Sequence, residues 1–429
     1  MDNITSIKGP LGYEYKYAYD TRNKLTSLTF PTGDVANFGY DPNGNLTIMN
    51  LPNGSNAQFT YDAMNRVKTV QDGTGNISSY SYDPAGNVSA ITNGAGNTLS
   101  IQYDDKHRQT KITDYLGNDF QFVYDNNDNI TSVTDRNGHT ANITYDSLNR
   151  VKTIADNLGG VITYTYTVKG NISSVKDQDN HTTQYTYDDL DRPVSVTYPD
   201  GRHIDFTYDN IGNITTQQLA DGKTINYVYD SLNRIVSKTL PDGNVFTYTY
   251  DSSSRVKTAT NVNGTVYFNY DVLNRLVSET FNGRTVNYTY NIAGRTQTTI
   301  YPDSTVVVKN FDLRNRLSSI LKNNVTIASF AYDNKNNLIQ KTLANGITNT
   351  YQYDANNRLI SLNADTIQNT TFTYNKEDNK NDLTRTNNNK SEQFVYDNNN
   401  RLTDYKRGPQ GSPVIHNTYT YDALGNRTA

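Results

Sequence analysis

The sequence predicts an all-β repeat protein: short hairpins strung in tandem into a long antiparallel sheet that winds into a spiral, hollow, solenoid-like shell. Three observations carry this. An aromatic anchor, typically Tyr-Asp, recurs through all 429 residues. Residues that tolerate positive φ recur at fixed offsets from it. The runs between them are short, alternating and rich in β-formers.

The anchors are Tyr19, Tyr40, Tyr61, Tyr82, Tyr103, Tyr124, Tyr145, Tyr166, Tyr187, Tyr208, Tyr229 and Tyr250, all evenly spaced. The step is about 21 residues, within the range of periods that marks a repeat array. The series continues through Tyr270, Tyr290, Phe311, Tyr332, Tyr353, Tyr374, Tyr396 and Tyr421, with steps close to the same length and the longest at the end. The expectation is one continuous array over 1–429, about 20 repeats, with irregular insertions at about 363–420. Asn387-Asn388-Asn389-Lys390 and Arg407-Gly408-Pro409-Gln410-Gly411 are read as those insertions. Asp2-Asn3-Ile4-Thr5-Ser6 has the composition of a segment following an anchor, and Tyr421 to Arg427 stops within a unit. Repeat arrays normally carry atypical capping units, so the chain is expected to be a fragment of a larger protein.

The fourth residue after the anchor is nearly always Gly, Asn, Asp or His, as at Asn65, Gly86, His107, Asp128 and Gly294. These types tolerate the left-handed region, so a turn is placed there, braced by the anchor's Asp. A second turn lies about two-thirds of a unit after the anchor, at Gly33, Gly54, Gly75, Gly96, Gly117, Gly138, Gly159, Gly201, Gly222, Gly243 and Gly264. Its neighbours are turn formers too, as in Pro52-Asn53-Gly54 and Pro241-Asp242-Gly243.

The run entering the anchor alternates, as in Asn226-Tyr227-Val228-Tyr229, which places both rings on one strand face. The outgoing run, such as Val151-Lys152-Thr153-Ile154, has apolar residues three apart. A β-bulge is expected to reconcile that spacing with a strand. The fifth residue after the anchor alternates Asn and Arg, giving a beat of two units that breaks after Arg255. A change of curvature is expected near 255–300.

Composition limits the function. There are 39 Lys+Arg against 43 Asp+Glu, which excludes bulk electrostatic binding of nucleic acid. With no Cys, disulfides, thiolate chemistry and Cys-based zinc sites are excluded. No apolar run reaches the ~18 residues of a membrane helix, and no signal peptide is visible. No nucleophile elbow, His-Glu-x-x-His or phosphate loop is present, so no catalytic, cofactor-binding or metal residues are assigned and a non-enzymatic role is expected. His139 and His181 hold equivalent turn positions about 19 Å apart across four strands, too far to share a metal. The acidic turns at Asp125–Asn129 and Asp177–Asn180 lack the spacing and distal Glu of an EF-hand. Arg66, Arg108, Arg150, Arg192 and Arg234 are expected to pair with the Asp four residues before each or with a neighbouring unit. The rival reading is a basic stripe that lines a cavity or binds an anionic glycan. Sequons such as Asn45-Leu46-Thr47 follow from the repeat itself.

Tyr208-Asp-x-x-Gly-Asn213, Tyr229-Asp-x-x-Asn-Arg234 and the Asp221-Gly222 turn, recurring along essentially the whole chain, resemble the RHS/YD-repeat family. That family includes bacterial Rhs and wall-associated polymorphic toxins, toxin-complex B and C components and teneurins. The resemblance implies a β-shell, secreted or at the cell surface, that encloses or presents a covalently linked C-terminal toxin or effector domain together with other shell segments. The alternative is an adhesion module binding cell-surface carbohydrate. The core motif and aspartyl autoproteolytic site that end bacterial shells are not recognisable here, so cleavage and toxicity are not carried over.

Overall fold

The computed structural model describes residues 3–9, 13–365, 368–377, 379–385, 390–409, 412–421 and 427. The sequence readings at Asp2, Asp378, 387–389, 410–411 and 422–426 lie outside the described residues. Among the described residues forty strands, from β1 (Ser6–Lys8) to β40 (Ile415–Thr418), form a single sheet. Each strand pairs antiparallel with the next in the chain, as at both ends and in the middle of the ladder.

One unit shows how the sequence makes the fold. The strands Thr224–Tyr229 and Ile235–Thr239 flank a loop in which Asp230 N–H donates to the Arg234 carbonyl and Asn233 N–H to the Asp230 carbonyl, both at 3.0 Å. Asn233 sits at φ 61°. This is the three-residue hairpin loop built on a type I turn and a left-handed residue. The register then slips: Val228 faces Ser237, but Tyr229 faces Ile235. That is the expected bulge, and it recurs at nearly every anchor, for example between Val123 and Tyr124. The glycine turn closes in the same way, Gly222 N–H meeting the Leu219 carbonyl at 2.8 Å with φ 80°.

Positive φ falls at the expected position after almost every described anchor, from Asn23 to Asn400. Gly294 is the exception: the left-handed residue there is Arg295, at φ 50°. The reason is local. Tyr290 pairs with Gln297 and Asn291 with Thr296, so the ladder runs one residue past the anchor with no bulge and the loop shifts. In the stretch where a change of curvature was expected, the turns tighten. Val262-Asn263 and Asn282-Gly283 become two-residue hairpin loops. Asn282 and Gly283 both have positive φ, as a type I′ turn requires.

The sheet is one layer thick. Ala36, Ala328 and Leu383 are its only buried hydrophobic side chains among the described residues. The accessible surface is 24369 Å², whereas a compact chain of this mass exposes about 16,500 Å². The wall therefore has no sandwich core. Its stability comes from the ladder, the turns and the half-buried aromatic face.

Candidate functional site: the turn edges and the seam between coils

The recurring cluster at each Tyr-Asp turn begins with the carboxylate. Asp230 Oδ1 accepts the backbone N–H of Leu232 at 2.9 Å and of Arg234 at 3.0 Å. Its Oδ2 accepts Arg234 Nε at 2.8 Å and lies 2.6 Å from Nη2. The guanidinium stacks 4.4 Å from the centre of the Tyr250 ring in the next unit. The same geometry recurs at Arg66 over Tyr82 and Arg150 over Tyr166. The arginine row is thus paired and stacked, as the pairing reading expects. Where Asn replaces Arg, Asn213 Nδ2 still reaches Asp209 at 2.9 Å. The Arg234 side-chain hydrogen bond, ahead of opposing burial and the backbone N–H bonds, holds the Asp230 carboxyl below its ordinary range.

The anchor hydroxyl completes the unit. Tyr229 donates to the Ile214 carbonyl at 2.9 Å and Tyr250 to Ile235 at 2.6 Å. The acceptor is the residue that pairs with the previous anchor, on the bulged strand beside the bulge. A bulge disrupts its ladder locally, and the tyrosine of the next unit bonds that carbonyl. Burial raises the Tyr229 and Tyr250 phenols above their ordinary values. Tyr288, half-buried and donating to Glu279 at 2.9 Å, is pushed up to about 12.

His139 and His181 stay in their own turns, whereas His107 bonds Asn87 of the neighbouring unit and His416 bonds Asp404 across the strands. His139 Nδ1 lies 3.2 Å from Asp135 and His181 Nδ1 3.5 Å from Asp177. Asp125 Oδ1 accepts the N–H groups of Asn127 and Asn129, and Oδ2 the Asn129 amide, so this acidic turn braces itself. Among the described residues no group of three His, Cys, Asp or Glu is placed to hold a metal.

The periodicity gave no notice of a second set of contacts, between residues separated by more than half the chain. Arg295 Nη1 donates to the Asn53 carbonyl at 2.7 Å, and Arg314 Nη2 meets Asp72 at 2.5 Å. Asn356 Nδ2 donates to Asp114 and Asn399 Nδ2 to Asp156, at 2.9 and 2.8 Å. Glu377 accepts the Arg136 N–H. In each case an anchor turn of the later ribbon docks on a glycine turn of the earlier one. The offset is constant at 23 strands: Asp72 follows the strand Val67–Gln71, the seventh, and Arg314 follows Val306–Phe311, the thirtieth. The ribbon has come round and met its own edge. At ~4.8 Å per strand the coil is about 110 Å around, or about 35 Å across.

The seam has an apolar start and a polar continuation. At its start a cavity of about 510 Å³ is lined by Phe30, Leu51, Pro52, Tyr290, Ile292 and Phe311 with Asn53, Arg295 and Asn315. Two departures from the repeat meet there. Asn291 stands where the anchor Asp belongs, so Arg295 lacks its own-turn carboxylate and reaches across the seam instead. Phe311 stands where an anchor Tyr belongs. Farther on, the glycine turns open with Asp72, Asp114 and Asp156. Burial raises each of these carboxyls, but bonds from their own turns and from Arg314, Asn356 and Asn399 outweigh it and hold all three below the ordinary value.

A single-layered ribbon that closes on itself edge to edge is a β-shell wall. The teneurin YD-shell family profile matches residues 2–93, 52–151 and 91–224, and the RHS repeat matches 229–266 and 332–366. The chain belongs to this RHS/YD-shell family. No curated protein sequence matches it. Among solved structures, the TcdB2-TccC3-Cdc42 crystal structure superposes at a TM-score of 0.59 with 14% identity, over 95% of this chain and 26% of that one. TcdB2-TccC3-TEV gives 0.57 at 14% identity, over 96% and 26%. TcdB2-TccC3 without its hypervariable C-terminal region gives 0.51 at 13% identity, over 97% and 25%. At such identity the likeness is one of fold, and the chain spans about a quarter of the length of those chains.

Proposed function

We propose that this chain is a structural, non-enzymatic wall segment, one continuous array, of a secreted or surface-delivered shell that encloses a covalently linked toxin or effector domain. The observation that carries the reading is the seam. A ribbon locked to itself at a constant strand offset encloses a lumen, and a lumen excludes proteases and holds a tethered polypeptide by steric confinement. Other shell segments of the parent protein would extend the wall. The carbohydrate-binding alternative draws on the tyrosine rows, but the anchor hydroxyls donate to wall carbonyls and the arginines are held by their own aspartates.

Small-angle scattering of the chain is the direct test. A hollow cylinder of the expected width gives a pair-distance distribution with deficient short vectors, and a solid-rod profile would sink the proposal. The encapsulation step is tested by tethering an unstructured reporter after Ala429: protease protection that disappears when the seam is broken supports it, and immediate digestion in the intact chain refutes it.

A further inference from the structure

The cavity at the start of the seam joins an apolar lining to a cation with no counter-charge. Its apolar wall is Phe30, Leu51, Pro52, Ile292 and Phe311, and among the described residues no Asp or Glu lines it. Glycine turns flank it on the earlier ribbon, at Phe30 and Asp72, and anchor turns on the later one, at Arg275 and Arg314. Its volume, about 510 Å³, falls within the ~300–1,000 Å³ of small-molecule sites, which are mostly apolar with a few placed polar groups.

The cation is Arg295. Its counterparts in the adjoining units are neutralised: Arg275 meets Asp271 and Arg316 meets Asp312, each at 2.7 Å. Arg295 has Asn291 where that aspartate would stand. Its Nε donates to the Phe311 carbonyl at 3.3 Å and its Nη1 to the Asn53 carbonyl at 2.7 Å. Carbonyls satisfy hydrogen bonds but carry no net charge, and Nη2 has no partner among the described residues. A guanidinium stays protonated in proteins, so this half-buried corner keeps its positive charge. Asn315 spends its Oδ1 on Asn53 Nδ2 at 3.0 Å, which leaves it only a donor. The polar end of the cavity therefore offers donors and charge of one sign. A carboxylate matches both, because charge-assisted bonds are the strong ones.

We infer that the cavity is a binding site for a small, single-tailed amphipathic carboxylate, its head on Arg295 and Asn315 and its hydrocarbon against Phe30, Leu51, Ile292 and Phe311. Both departures from the repeat contribute. Asn291 for Asp frees the charge, and Phe311 for Tyr keeps a hydroxyl out of the apolar wall. The occupant touches both ribbons and so stabilises the closed coil by mass action. The site lies in the wall itself and needs no enclosed cargo.

Calorimetric titration of the full chain with decanoate, below its micelle concentration, tests it. Decanol is the uncharged match and acetate the head alone. The expected result is a single decanoate site per chain, decanol weaker by about tenfold or more, and no binding of acetate. Arg295→Gln should bring decanoate down to the decanol level. Arg295 also bonds across the seam, so Ile292→Trp serves as the second variant. It fills the cavity, leaves Arg295 in place, and should abolish binding of decanoate and decanol while small-angle scattering still gives the wild-type radius. A wild-type chain that scatters as the closed coil yet takes up no decanoate overturns the inference and leaves the shell reading standing. Decanoate that binds no tighter than decanol, or that is indifferent to Arg295→Gln, overturns it too. So does binding that survives Ile292→Trp, which would place the ligand elsewhere on the wall.

Discussion

The anchor tyrosine acts twice, through its ring and through its hydroxyl. The ring half-buries against the ribbon and receives the arginine of the preceding unit. The hydroxyl bonds the carbonyl beside the previous bulge, on the residue paired with the previous anchor. Phe311 marks what the ring alone supplies, since it holds the anchor place with no hydroxyl. Tyr229→Phe should therefore fold and lose about 1 kcal/mol, the net value of one such bond, measured by denaturant titration. A loss of several kcal/mol would mean that the ring had moved. The raised phenol values set a second expectation. A group whose folded pKa lies above its unfolded value stabilises fully below the unfolded one, here 10.0, and loses that contribution as pH rises through the folded one. Tyrosinate absorption and loss of β-sheet circular dichroism should rise together above pH 10. Ionisation that runs to completion with the sheet intact would contradict the hydroxyl's role.

At the scale of the hairpin, the repeat was legible because every constraint is local. A left-handed residue excludes β-branched side chains, so the turn shows in composition. The bulge shows as an apolar spacing of three where a strand wants two. Asn233 is a suitable place to test this reading. Asn233→Val forces a branched side chain into φ 61° and should cost about 1–3 kcal/mol, whereas Asn233→Gly should be close to neutral; equal effects in a thermal melt would argue that the loop can re-form. The shift at Gly294 was not legible, because the turn residue there is decided by how far the ladder runs past Tyr290, not by the residue's own preference. The seam was hidden for a different reason. Its partners lie more than half the chain apart, and a local pattern carries no information on where a curling ribbon meets itself. A trace does exist: Asp opens the glycine turns at 72, 114 and 156, while the tips at 314, 356 and 399 become polar donors. Only the structure says that these two runs face each other.

At the scale of the whole molecule, closure rests on side chains and not on the backbone ladder, so coil and seam should separate under conditions that spare the strands. Acid is such a condition. Asp72, Asp114 and Asp156 have folded values below the ordinary 3.8. A depressed carboxyl contributes its stability above the unfolded value and loses it as pH falls through the folded one. Below pH 3.8 the Arg314–Asp72 ion pair and the amide bonds to Asp114 and Asp156 weaken; turn carboxyls such as Asp62, Asp104 and Asp230, also held below the ordinary value, titrate with them, but the backbone bonds of the strands do not. The radius of gyration should therefore grow in that range while far-UV circular dichroism still reports the sheet. A chain carrying Asp72→Asn, Asp114→Asn and Asp156→Asn keeps a side-chain oxygen to brace each turn but removes the seam's titrating charge, so its radius should respond less to acid over the same window than that of the wild type. If radius and circular dichroism change together in both proteins, the wall is opening strand by strand and the seam is not the element that closes it.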